Sequence, residues 1–189
     1  MHRIIFSGAQ GTGKTTVLNY FKEKGNNVIT EVVRQLKESG VKINKDGDEK
    51  GQAKIFKTYK SLLEEVSVTG YISDRGLFDV VAYTKYLADH GQVSQEFLQK
   101  QIKDLKKFVS SNPDIVYCYF PIEFPVEDDG VRDTDEEYRK EIDENIQYLY
   151  TTVGVSAFVI KGDVETRQQK LTRIMNWLHE GMALYIDLT

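Results

Sequence analysis

Short apolar runs alternate along the chain with longer stretches in which apolar residues return every three or four positions. The first run, residues 4–6, ends at Ser7-Gly8 as a buried parallel strand does. Val17, Leu18 and Phe21 then repeat at helical spacing over 15–24, with Gly25-Asn26-Asn27 as a stop. A second strand is predicted at 28–30 and a helix over 31–39, closed by Gly40. Residues 42–51 are polar and contain glycine, which predicts a mobile loop. Ile55, Phe56, Tyr59, Leu62, Leu63 and Val66 share one stripe of an amphipathic helix over 52–68. A third strand follows at 71–73, then helices over 78–89 and 95–110, the latter with Ser94 as N-cap. Pro113-Asp114 introduces the fourth strand, "IVYCYF" at 115–120; 121–131 reads as irregular and 135–152 as a charged helix. A fifth strand at 156–160 and a helix over 164–179 complete the pattern. Strands alternating with helices, without a repeat, predict one α/β domain over 1–189 built on a parallel sheet.

Composition narrows the class. The longest apolar runs are five or six residues, far short of the roughly 20 that a membrane span needs. The first strand starts at the chain's beginning, so no leader is expected. Cys118 is the single cysteine, which excludes an internal disulfide framework and fits a reducing, cytoplasmic setting. His2, His90 and His179 are scattered, so no structural zinc is expected. The net charge of −4 is uneven: residues 123–144 hold eleven acids and three bases, and the rest holds 18 acids and 22 bases. No basic stripe is long enough for a nucleic-acid track.

The loop after the first strand changes the picture most. Gly8-Ala9-Gln10-Gly11-Thr12-Gly13-Lys14-Thr15 fits G-x-x-x-x-G-K-[ST] at every fixed position, between a strand and a helix as the motif demands. Glycines let backbone N–H groups turn inward around a phosphate without Cβ clashes, and the helix beginning near Gly13 aims its positive end at the same anion. Lys14 reaches the β and γ phosphates, and the Thr15 hydroxyl ligates Mg²⁺. Gly8, Gln10, Gly11, Thr12, Gly13, Lys14, Thr15 and Thr16 are therefore the expected contacts to ATP. A Ras-like switch would carry N-K-x-D after a late strand; the nearest string, Asn44-Lys45-Asp46-Gly47, ends in glycine and precedes the third strand. Helicases and large motors usually need more chain than 189 residues.

Three strand ends would share one crevice, because ligands collect at the carboxyl ends of strands in open α/β sheets. Glu31 follows the second strand with Arg34 one turn on, and Asp74-Arg75 ends the third. The simpler alternative for each acid is a carboxylate stabilised at a helix start, with arginine as its surface partner. Arg132 and Arg139, seven residues apart in an acidic stretch, read either as a solvated face or as arginines of a lid-like segment at about 121–140. A lid would exclude water and so favour transfer over hydrolysis. Tyr83 and Tyr86 could line an acceptor pocket, but core packing is the simpler account, as it is for Tyr117, Tyr119 and Phe120.

The ordered set of P-loop, "EVVRQL", "SDRGLFDVVAYTKYL", "DDGVR" and "KGDVETR" resembles the AAA-like P-loop domain family, which includes ribosylnicotinamide kinase domains and many phage proteins. More distantly it is similar to deoxynucleoside and thymidylate kinases. The resemblance implies a three-layer fold with five parallel strands in the order 2-3-1-4-5. It implies an acceptor-side acid at Glu31, a Mg²⁺-associated acid at Asp74, a phosphate-touching arginine at Arg75, and a lid arginine at Arg132. Residues 162–167, with Arg167, would pack against adenine. One departure is visible: the segment after the fourth strand, often built around tryptophan in the family, is "PIEFPVEDDG" here.

These readings converge on transfer of the ATP γ-phosphoryl to a small nucleoside-like or nucleotide acceptor. Thr15 and Asp74 would hold Mg²⁺, Glu31 would accept the proton of a hydroxyl, and Arg75, Arg132 and Arg139 would clamp phosphate oxygens. Arg132→Ala is expected to harm turnover at least as much as Glu31→Gln. A monophosphate acceptor would instead need no strong base. A nucleotide-dependent regulator with slow ATP or GTP hydrolysis, its acidic segment a partner surface, is the alternative from a different class.

Overall fold

The computed structural model describes residues 2–65, 70–125 and 135–180. Five strands form one parallel sheet: β1 (Arg3–Ser7), β2 (Val28–Ile29), β3 (Tyr71–Ser73), β4 (Ile115–Tyr119) and β5 (Phe158–Val159). Their order is β2-β3-β1-β4-β5, the one the family resemblance implies. The seven helices described are α1 (Lys14–Glu23), α2 (Val32–Glu38), α3 (Glu49–Glu65), α4 (Leu77–Asp89), α5 (Gln95–Ser111), α6 (Glu136–Val153) and α7 (Val164–Glu180). Among the described residues, no helix is long and apolar enough to cross a membrane.

Strand periodicity of two sorts side chains to the two faces of the sheet. Ile4 and Phe6 of β1 join Cys118, Phe120 and Ile160 under Leu18 of α1 and Leu171 of α7. Ile5, Tyr71, Ile115 and Tyr117 face the other way, onto the core built by α2 to α6. Three layers result, with β1 and its loop at the centre. Cys118 is fully buried, and burial pushes its thiol well up, as expected of a packing residue and not a reactive one.

The predicted elements stand with shifts of a few residues, and one differs in kind. The polar stretch 42–51 is held, not loose. A 3₁₀ turn (Asn44–Asp46) occupies its middle, and Asp48 accepts the Gly51 N–H at 2.8 Å, starting α3 at Glu49. A carboxylate at this position satisfies an orphan N–H of the first turn, an effect that outweighs the polar composition. Gln92 also donates to the Lys45 carbonyl at 2.7 Å, and Glu49 accepts from the Ser94 hydroxyl at 2.6 Å. Ser94 caps α5 as predicted, its hydroxyl accepting the Phe97 N–H at 3.2 Å. Val66 of the α3 stripe and Arg132, with residues 126–134 of the lid-like segment, lie outside the described residues.

Gly8 closes β1 at φ 148°, and a Cβ there would stand 2.3 Å from the Phe120 carbonyl oxygen. Both the conformation and the contact require glycine. Gly8→Ala should cost about 1–3 kcal/mol of stability, read as a lower denaturation midpoint in urea at unchanged slope.

Candidate active site

The P-loop wraps its own lysine. Lys14, the first residue of α1, is buried, and its Nζ donates to the carbonyls of Gly8 and Ala9 at 2.7 Å each and to Thr12 Oγ1 at 3.1 Å. Burial pushes its ammonium down to about 8; Arg75 adds to that shift, while Asp79, Asp74 and Asp143 oppose it. Gly13 sits at φ 82° at the start of α1 and brings the loop close to Arg167, whose Nη1 would be 2.9 Å from an added Cβ.

β3 lies next to β1, so its carboxyl end delivers Asp74 to the loop. Thr15 Oγ1 donates to Asp74 Oδ2 at 3.0 Å, and Asp74 Oδ1 is buried without a hydrogen-bond partner. A hydroxyl and a carboxylate with one unused oxygen are hard oxygen donors, the set that holds Mg²⁺ together with substrate phosphates. The described residues contain no group of three or more His, Cys, Asp or Glu that could hold a metal.

Arg75 and Gln10 are joined through Tyr83. Arg75 Nη1 donates to the Tyr83 hydroxyl at 3.1 Å, and that hydroxyl donates to Gln10 Oε1 at 3.1 Å. Tyr83 is therefore more than the core packing its sequence position suggests, and it lines the cavity in front of the loop. Asp79, one turn into α4, accepts from the Gly8 N–H at 3.2 Å and the Gly76 N–H at 3.3 Å. Burial raises its carboxyl to about 6, against the pull of Arg75, Lys14 and those two N–H groups. Sequence reasoning missed Asp79; an acid three residues after a glycine at a helix start was the available signal.

One cavity of about 540 Å³ joins these parts. Lys14, Thr15, Thr16, Asp74 and Arg75 line its middle. Phe124, Pro125, Val164 and Arg167 form the end beneath β5, and Val33, Arg34, Lys37, Ile55 and Tyr59 form the end beneath β2. Arg167 is anchored hard: it donates to the Thr12 carbonyl and, at 2.6 Å, to Glu123, and it lies over Phe120 and Phe124 at 5.6 and 5.1 Å. Glu123 also accepts the Gly162 N–H at 2.9 Å. The segment after β4 thus contributes an aromatic, Phe124, where the family pattern led one to look for tryptophan.

Three expected site residues among those described, Gly8, Glu31 and Arg139, are not in the cavity lining, and the Gly8 N–H is taken by Asp79. Glu31 stands between β2 and α2 in a left-handed conformation, φ 62°, and pairs with Arg34 at 3.1 Å. Such a conformation costs a non-glycine residue about 1–3 kcal/mol and is typical of functional positions; Arg34 and Lys37, on the helix that follows, line the cavity. Arg139 departs from the phosphate clamp expected of it. It is fully buried, with Nε donating to the Gln10 carbonyl at 2.9 Å and Nη2 to that of Gly11 at 3.3 Å, and it pairs with Glu136 at 3.3 Å. Because α6 starts at Glu136, Arg139 falls one turn in, on the helix face packed behind the loop. It braces the loop from outside.

Strand, glycine loop and helix at the centre of a 2-3-1-4-5 sheet define a P-loop fold of the kinase-like kind. The chain belongs to the AAA domain family, whose sequence model matches residues 3–167. Among solved structures, a deoxyadenosine kinase from M. mycoides superposes with a TM-score of 0.67 at 19% identity, covering 92% of this chain and 98% of that one. NadR protein in complex with NR superposes with a TM-score of 0.73 at 16% identity, covering 98% of this chain and 53% of the NadR chain. No curated protein matches the sequence. At these identities the likeness is one of fold.

Proposed function

We propose that this protein is a P-loop kinase that transfers the γ-phosphoryl of ATP to a nucleoside-like or nucleotide acceptor. The observation that carries the reading is the cavity: the P-loop opens into a chamber that continues past Asp74 and Arg75 to an apolar wall of Val33, Ile55 and Tyr59. A protein that only hydrolyses a triphosphate has no need of a second, organic-sized end.

In this reading the β5 end takes adenine, with Phe124 and the anchored Arg167 as its surface. Backbone N–H groups of the loop from Gln10 to Thr16 hold the phosphates, and Lys14 exchanges its loop carbonyls for phosphate oxygens. Thr15 and Asp74 are the residues that would hold Mg²⁺, which when bound neutralises developing charge on the transferring group. Arg75, kept in register by Tyr83 and Gln10, offers its planar fork to the phosphoryl oxygens in flight. Arg132 remains a lid candidate on sequence grounds. Arg139 positions the loop instead of touching phosphate.

Coupled ADP-release assays with ATP, Mg²⁺ and a panel of nucleosides and monophosphates test this. Release that requires one class of acceptor is the expected result; release indifferent to every acceptor would favour the hydrolysing regulator.

Triphosphate affinity should fall above pH 8. Lys14 has a folded-state value of about 8 against 10.5 in an exposed lysine. Between those two pH values the unfolded chain binds more protons, so the stability of the free protein rises with pH while the phosphate-binding charge is lost. Bound phosphate restores the ammonium. Titration calorimetry at pH 8.5 in buffers of different ionisation enthalpy should therefore show net proton uptake on binding ATP, and Lys14→Met should abolish it.

A further inference from the structure

The charge of the cavity does not suit a neutral acceptor. The whole chain carries −4, yet the cavity walls hold five cations, Lys14, Arg34, Lys37, Arg75 and Arg167, against the carboxylates Asp74 and Asp79. Lys14 and Arg167 belong to the loop and its anchor. The other three lie on the connections after β2 and β3, toward the opposite end of the strand order from Val164 and Arg167.

Two of these three cations form no ion pair among the described residues. Among the described residues Lys37 makes no ion pair, and Arg75 has only its bond to the neutral Tyr83 hydroxyl, although Asp79 lies near enough to feel its charge. Arg34 is paired with Glu31, but their side chains are 61% and 44% exposed, and pairs so exposed are worth about 0–1 kcal/mol. A cleft lined by one sign of charge with low-dielectric walls draws in an opposite charge. Beside the cations, Val33, Ile43, Ile55 and Tyr59 make an apolar surface. Gln52 adds a buried amide there, whose oxygen accepts from Thr84 Oγ1 at 3.1 Å. The wall thus offers an apolar and aromatic surface with one amide next to a seat for a dianion.

Building on the kinase reading, we propose that the acceptor is a nucleoside 5′-monophosphate, with its phosphate held by Arg34, Lys37 and Arg75 and its base against Ile55 and Tyr59. An oxygen of the acceptor phosphate attacks the γ-phosphorus, a new P–O bond forms, and the bond from that phosphorus to the β-bridging oxygen breaks. ATP and the monophosphate become ADP and a nucleoside diphosphate, with no change in total charge. A phosphate monoester has a second pKa of about 6, so its attacking oxygen already lacks a proton at neutral pH. No general base is then needed, which agrees with Glu31 lying outside the cavity lining. On this account Glu31→Gln costs less than about tenfold in kcat, well under the 10²–10⁴ of a positioned base.

Steady-state kinetics with ATP, Mg²⁺, the ribo- and deoxynucleosides and their 5′-monophosphates test the assignment. At least one monophosphate should exceed its own nucleoside by 100-fold or more in kcat/KM. The double substitution Arg34→Gln with Lys37→Gln should raise KM for that monophosphate at least tenfold and bring the ratio toward one, and Lys37→Arg should retain it. A nucleoside used as well as or better than its monophosphate overturns the inference and leaves the kinase reading standing. ADP release indifferent to both classes removes the kinase reading and this inference with it.

Discussion

Lys14→Ala should lower kcat by about 10³-fold or more, equivalent to about 4 kcal/mol of transition-state stabilisation. Lys14 carries the cation nearest the loop's phosphate seat, and its ammonium already stands where the Gly8 and Ala9 carbonyls converge. Without ligand that charge is buried and costly, as its depression to about 8 records. With a triphosphate in the loop the same desolvation strengthens the attraction. The protein therefore stores in the free state an unfavourable charge that the substrate relieves. Removing the ammonium ends that desolvation but strips the Gly8 and Ala9 carbonyls of their donor, so stability and rate change for different reasons. Rate measurement beside thermal unfolding separates the two effects.

Arg75→Ala should cost a comparable factor, about 10³ in kcat/KM, within the range that an arginine supplied to a transferring phosphoryl group provides. Arg75→Lys should not restore it. The guanidinium is aligned by its bond to Tyr83, which also bonds Gln10 in the loop, and an ammonium cannot reproduce a planar fork. Tyr83→Phe deletes the link but leaves the cation, so it should fall between: about tenfold, with the loss in kcat. If the lysine variant matched the parent, charge alone would suffice and the fork would have no role.

Most of the fold was legible because each strand and helix carries its own periodicity. The "IVYCYF" run alternates between faces of a central strand, and the 55–63 stripe lands on the core. Motif chemistry named Lys14, Thr15 and Asp74 as candidates, and the structure brings the three to one cavity. What spacing does not report is tertiary direction. Glu31 and Arg34 form a pair at 3.1 Å, yet only Arg34 lines the cavity, and no spacing rule reports the positive φ at Glu31. Arg139 looked like Arg132 by spacing, but the start of α6 at Glu136 turns it behind the loop. Asp79 was hidden because its partner, the Gly8 N–H, is 71 residues away. Composition also misread 42–51, where one cap at Asp48 starts a helix.

The central claim is that the γ-phosphoryl leaves ATP for an organic acceptor. Incubating the protein with γ-labelled ATP, Mg²⁺ and the nucleotide panel, then separating the products, tests it directly. The account predicts label in a nucleoside diphosphate, formed one for one with ADP. Label recovered only as inorganic phosphate, at a rate no acceptor alters, would contradict it.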